Sequence, residues 1–205
     1  MNDDLRTVTV HSRVNRGMAI AAWALLAVLG ALIALGSGAQ GVVAAVLGVA
    51  WLAYAVHVFL WAPSLTVDDR GSRIHNPLRT VTVPWEALIH VDTKYALTLH
   101  TPGAKWAVWS APQASALVAR TKARRAREDR DDRDPRNPLD AGVRIGDLRG
   151  TESGDVAALV RQRWAERRSS DIDADDVAVP TSIHRGRVAA LLIGPVLAFA
   201  VPMLF

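Results

Sequence analysis

GMAIAAWALLAVLGALIAL, from Gly17 to Leu35, and GVVAAVLGVAWLAYAVHVFLW, from Gly41 to Trp61, contain no Asp, Glu, Lys or Arg. Each runs for about 20 residues, and a helix rising ~1.5 Å per residue then covers the roughly 30 Å of bilayer hydrocarbon. A third uncharged run, Val188 to Phe205, lies at the short limit for a span. These runs predict a membrane protein with transmembrane α-helices.

The rest of the chain divides around them. Half of the residues are apolar, while all of the 24 Lys+Arg and 20 Asp+Glu fall outside the three runs. Pro63 to Arg187, about 125 residues, is the size of one soluble domain with its own core. The pI near 10.1 comes mainly from arginines beside the runs, which bears on orientation and anionic lipid rather than nucleic acid. There is no Cys, so disulfides, thiolate catalysis and Cys-ligated zinc are excluded.

Arg6, Arg13 and Arg16 precede the first run, and Gly36-Ser37-Gly38-Ala39-Gln40 after it is uncharged. The positive-inside rule then predicts a cytoplasmic amino terminus, a cytoplasmic domain and an external carboxyl terminus, with Arg185 and Arg187 on the inner side of the third run. The first run exceeds the apolar length of a signal peptide, and a second follows at once, so it reads as a span. Trp51, Tyr54, His57 and Trp61 read as interfacial anchors, and Gly30, Ala34, Ala44 and Gly48 as close-packing positions of a helical hairpin. Pro195 and Pro202 interrupt the third run.

Beyond Pro63 the period changes to two. Leu65 and Val67, then Ile74, then Val81 and Val83, then Ile89, Val91 and Thr93, then Leu97, Leu99 and Thr101, then Trp106 and Val108 each mark one face of a short strand. Asp69-Arg70-Gly71-Ser72, Asn76-Pro77 and Pro102-Gly103 supply turns. About six strands at this spacing predict an antiparallel sandwich or barrel. Arg120 to Arg136 is then dense in both signs of charge with few apolar groups, which predicts a solvated extension or insert about 120–150. Order returns at Thr151, with Ser153 as expected N-cap, and Val156, Leu159, Val160 and Trp164 recur at helical spacing. Arg161 falls on the expected polar side. Their stripe is expected to cap the open end of the barrel. Asp171, Asp173, Asp175 and Asp176 read as an acidic linker.

Thr66-Val-Asp-Asp-Arg-Gly71, Asn76-Pro-Leu-Arg-Thr-Val-Thr-Val-Pro-Trp85 and Val108-Trp-Ser-Ala-Pro112, with Val160-Arg-Gln-Arg-Trp164 closing, resemble the bacterial pleckstrin-homology (PH) domain of actinobacterial membrane proteins, including the low-molecular-weight antigen branch. The resemblance covers most of Ser64 to Arg168. It implies a soluble α+β domain, a bent antiparallel sheet of seven strands capped by one helix, and no cofactor or catalytic residue. The expected organisation is 1–16 amino-terminal segment, 17–62 transmembrane hairpin, 63–168 PH-like domain with its charged insert, 169–187 linker and 188–205 third span.

The sequence contains no nucleophile elbow, P-loop, dinucleotide fingerprint or His-Glu-x-x-His. His90, Asp92 and His100 would meet if two strands pair around Tyr95, but they read as surface polar residues, and no metal is expected. A non-enzymatic module follows, recruiting a protein partner or sensing anionic lipid through Arg70, Arg73, Arg79, Lys94 or Lys105. The alternative is a small accessory subunit of a larger transporter or envelope-enzyme complex. The bilayer is an expected partner and nucleic acid is not.

Overall fold

The structure, a computed structural model, describes residues 7–93, 96–112, 151–167, 174 and 177–204. Alternation builds β2 (Ser64–Val67), β3 (Gly71–His75), β4 (Arg79–Pro84), β5 (His90–Asp92), β6 (Ala96–Thr101) and β7 (Ala104–Pro112). Leu65, Val67, Ile74, Val81 and Val83 turn inward from one sheet and meet Val91, Leu97, Leu99 and Val108 from the other. Every pairing is antiparallel. Six strands between Ser64 and Pro112 agree with the period-two pattern. No seventh strand is described between Ser64 and Arg168, and the charged stretch 120–150 lies outside the described residues.

Two turns depend on glycine. Gly103, after Pro102, has φ +70°, as the third position of a type II turn requires. A Cβ at Gly71 would collide with the Val83 carbonyl, so β3 and β4 approach this closely only because the residue is Gly.

The first sheet reaches past the 63–168 bounds expected for the domain. β1 (Val8–Val10) pairs with β2, and β8 (Thr181–Ile183) pairs with β4, giving the order β1-β2-β3-β4-β8 beside a second sheet β5-β6-β7. The expected amino-terminal segment and acidic linker therefore each contribute an edge strand. Both do so because the outer edges of β2 and β4 carry unpaired N–H and C=O groups that need partners.

Helix α1 spans Arg13–Gly36 and α2 spans Ala39–Val56, continued by a π turn at His57–Trp61. Helix α3 covers Glu152–Arg167 and packs Val156, Ala157 and Val160 into the core, with Leu159 and Trp164 half-buried against it. Its cap is Thr151, whose Oγ1 accepts from the Gly154 N–H at 3.1 Å. The expected cap, Ser153, lies inside the first turn and is fully buried. Arg161 is not a free surface cation either, because its Nη2 donates to the Val91 carbonyl at 3.0 Å and ties α3 to β5.

Helix α4 runs Arg185–Ala200 and continues as a 3-10 turn at Val201–Leu204. With α1 and α2 it makes three helices long and apolar enough to cross a membrane. Trp51, read from the sequence as an interfacial anchor, fills the space beside Gly194, and its Nε1 donates to the Leu191 carbonyl at 3.3 Å. The reason lies four residues on: Pro195 has no N–H, so Leu191 lacks its intrahelical donor. Trp61 packs at a 41° tilt against Trp23, with ring centroids 5.3 Å apart, and lies 4.8 Å beneath the Arg16 guanidinium.

Candidate functional site

All three apolar helices join the first sheet at one end. Only His11 and Ser12 separate β1 from α1, only Ala62 and Pro63 separate the π turn from β2, and only His184 separates β8 from α4. In the register, Val10 faces Leu65, Ser64 faces His75, His75 faces Thr80, and Arg79 faces Ile183, so these residues form the helix-facing end. The turn from Asp68 to Arg70 lies at the opposite end.

At the helix-facing end, hydrogen bonds lock the domain to α1. The first amides of a helix lack intrahelical partners. Here Ser12 Oγ accepts from Asn15 N–H at 3.0 Å, and Glu152 Oε1 accepts from Arg13 N–H at 2.6 Å and Val14 N–H at 3.2 Å. Ser12 Oγ also donates to Glu152 Oε2 at 2.6 Å. Glu152 opens α3 as well, so one carboxylate serves the positive ends of two helices. Asn15 and Asn76 complete the junction. Asn15 Nδ2 donates to the Trp109 carbonyl at 2.9 Å, while Asn76 Nδ2 donates to Ala107 O at 2.7 Å and its Oδ1 accepts from Trp109 N–H at 3.1 Å. The Trp109 indole is 47% exposed and lies 6.0 Å from the Phe59 ring, an aromatic pair beside the helix ends.

The opposite end is an open groove of about 500 Å³ lined by Asp68, Arg70, Arg73, Thr82 and Glu86. Asp68 Oδ1 accepts from the Arg70 and Gly71 amides and so fixes the turn. Asp69 is held from α3 by Arg167 at 2.8 Å and Arg163 at 3.8 Å. Arg70 and Arg73 are exposed, and neither has a carboxylate partner among the described residues.

Of the five cations singled out from the sequence, the four described fall at three places. Arg70 and Arg73 line the groove, Arg79 lies 5.1 Å over the Trp106 ring on the core side of β4, and Lys105 stands on the outer face of β7 opposite His100. Lys94 lies outside the described residues. His90 and His100 do face each other, with ring centroids 5.5 Å apart. Burial, then Lys105 and His90, lowers the His100 pKa, against a raising effect of Asp92. No group of three or more His, Cys, Asp or Glu that would hold a metal occurs among the described residues.

Sequence reasoning missed Glu152, Asn15, Asn76 and Trp109. Ser12 was a legible signal, since a Ser before an apolar helix is a cap; but the third helical position is Asn15 rather than Glu or Gln, and the missing carboxylate arrives from 140 residues away.

Residues 62–148 match the sequence model of a family described as a bacterial PH domain. The match runs through the charged stretch and ends before α3. No curated protein and no solved structure matches the chain.

Proposed function

Because the chain is a bacterial PH-domain protein, carrying a module of the kind that contacts proteins or lipids, we propose that three membrane-spanning helices hold that module against the cytoplasmic face and turn its far end toward a protein partner. The observation that carries this reading is the shared helix-facing end of the sheet. β2 has four residues, and at ~3.3 Å per residue a strand running away from the helices would carry the Arg70 turn about 13 Å beyond Ser64, on the side away from the proposed bilayer. Arg70 and Arg73 then point away from the lipid in which the chain is anchored, which favours a protein partner over sensing of that membrane.

Orientation is supported by charge. Arg13, Arg16, Arg185 and Arg187 lie at the helix-facing end, whereas Ser37 and Gly38 between α1 and α2 carry none, so the positive-inside rule places the domain in the cytoplasm and the end of α4 outside. Arg185 and Trp109 suit the headgroup layer, where cations and aromatic rings anchor. The accessory-subunit reading is favoured by one feature: the His57 ring is exposed on the outside of the helices, where an ionisable group within a membrane usually faces protein.

Spin labels in nanodiscs test the main reading. A label at Arg70 is expected to be quenched by an aqueous reagent and not by a lipid-soluble one, with the reverse at Leu192. Contact of the Arg70 label with the lipid-soluble reagent would refute the far-end assignment. A photo-crosslinker at Arg73 should in addition give a discrete protein adduct in cells that is lost on Arg70→Glu.

A further inference from the structure

We propose that the guanidinium of Arg16 and the indole N–H of Trp61 form a seat for the phosphate of one anionic phospholipid, at the level where the apolar helices meet the domain. The proposal rests on the membrane arrangement put forward above and adds to it a bound lipid at a defined position. Arg16 lies one turn inside α1 and Trp61 ends the π turn, so both stand at the helix-facing end. The guanidinium is 4.8 Å over the Trp61 ring, and that ring is packed against Trp23.

The Arg16 head has donors and nothing to receive them. A guanidinium carries five N–H donors and no acceptor. None of those of Arg16 has a protein acceptor among the described residues; Nε is shut in by the protein, while both terminal nitrogens remain open. A head fixed in this way presents two terminal nitrogens side by side, which match two oxygens of one phosphate.

The tryptophans give an independent sign. Of the seven indoles, those of Trp23, Trp51, Trp85, Trp106 and Trp164 donate to protein acceptors. The two without one among the described residues are Trp61 and Trp109, and both lie at the helix-facing end. Unpaired indole donors are thus confined to the level at which lipid headgroups would stand.

The protein offers Arg16 no counter-ion there. Glu152 is the carboxylate at that end, and its Oε1 accepts from the Arg13 and Val14 amides while its Oε2 accepts from Ser12 Oγ. It forms no salt bridge with Arg16 among the described residues. The same bonds occupy the first amides of α1, so the seat is built of side chains and not of a helix end. The charge of Arg16 is instead felt by His11, whose pKa is lowered by burial first and then by Arg16.

The class of lipid follows from charge. Arg13 is exposed and stands three residues before Arg16, on the same face of α1. An ammonium-bearing headgroup would bring its cation against both guanidiniums, and the Trp61 ring that could have held an ammonium already carries Arg16. A phosphate in an otherwise uncharged headgroup, as in phosphatidylglycerol, avoids both conflicts.

Native mass spectrometry of the full chain in mild detergent, titrated with phosphatidylglycerol or with phosphatidylcholine of the same acyl chains, tests this. One phosphatidylglycerol adduct is expected, about fivefold tighter than the phosphatidylcholine adduct, the factor contributed by one cation beside an anionic lipid. Arg16→Gln should abolish the preference, whereas Arg185→Gln, the same charge change on α4, should keep it. Equal binding of the two lipids, a preference that survives Arg16→Gln, or displacement of the adduct by inorganic phosphate would overturn the seat. Should Arg16→Gln not fold, solid-state NMR of the unsubstituted chain in phosphatidylglycerol bilayers decides: dipolar contact between Arg16 Cζ and lipid phosphorus supports the seat, and its absence refutes it. The Leu192 label separates this proposal from the arrangement beneath it. With that label in lipid, a missing preference refutes the seat and leaves the spans standing; a Leu192 label reached by the aqueous reagent refutes the spans, and the seat with them.

Discussion

In the domain, Trp85 is 1% exposed and sits among the core residues of both sheets, its Nε1 donating to Asp68 O at 3.2 Å and its own carbonyl accepting from Trp164 Nε1 at 3.1 Å. Among the apolar helices, Trp23 and Trp51 are half-exposed, and each sends its indole N–H to a carbonyl of a neighbouring helix, Ala53 O at 3.0 Å and Leu191 O at 3.3 Å. The same side chain therefore contributes differently in the two regions. In water the large term is removal of ring surface from solvent. In the membrane arrangement proposed above that term would vanish, because lipid is as apolar as a helix face, and packing and hydrogen bonding between helices would remain.

The sharpest contrast is expected at Trp85. Trp85→Ala should lower domain stability by about 3–5 kcal/mol, the range for large buried aromatics, read as a shift in chemical unfolding followed by far-UV circular dichroism. Trp164→Ala, removing a half-buried ring that lies on α3 rather than within the sheets, should cost about 2 kcal/mol. Equal losses at the two positions would mean that α3 closes the core as fully as the sheets do. No measurable loss at Trp164 would make it an exposed contact instead of part of a cap.

The junction between the regions should give a smaller effect. Glu152→Gln keeps the size of the side chain but replaces a carboxylate with a neutral amide at the start of α1. A loss of about 1 kcal/mol is expected, the typical value of a helix-capping interaction, together with faster exchange of the Arg13 and Val14 amides. Unchanged exchange at those two amides would show that water replaces the carboxylate without loss and that the domain is not locked to α1 through Glu152.

These regions also differ in how far the sequence disclosed them. Strands β2 to β7 were legible because Leu65, Val67, Ile74, Val81, Val83, Leu97 and Leu99 alternate with polar residues, and that alternation is itself the burial pattern. The apolar helices were legible from length and lack of charge. β1 and β8 were not: Val8–Val10 and Thr181–Ile183 are too short and too exposed to carry a pattern, and their pairing depends on edges supplied by distant strands. The site fared worse, since the four described cations of similar local appearance do not share one face, and neither the Glu152 capping nor the Arg16–Trp61 approach has a local signature. Trp51 read as an interfacial anchor because composition alone does not say which carbonyl lies opposite it.

The smallest effect separates the hydrogen bond of Trp51 from its packing. Pro195 leaves Leu191 O without an intrahelical donor, and in the membrane arrangement proposed above no water would replace it. Pro195→Ala restores that donor, so Trp51→Phe should cost less in the Pro195→Ala background than in the unsubstituted chain. The difference is expected to be about 0.6 kcal/mol, the average for interhelical hydrogen bonds in a membrane, measured as the coupling term of a double-mutant cycle in detergent-micelle unfolding. Trp23→Phe provides the comparison. Its acceptor, Ala53 O, already receives the His57 N–H, so its cost should not depend on residue 195. Strict additivity of Trp51→Phe and Pro195→Ala would mean that the ring is held at Gly194 by packing alone, and the stranded carbonyl would no longer explain why a tryptophan stands at that position.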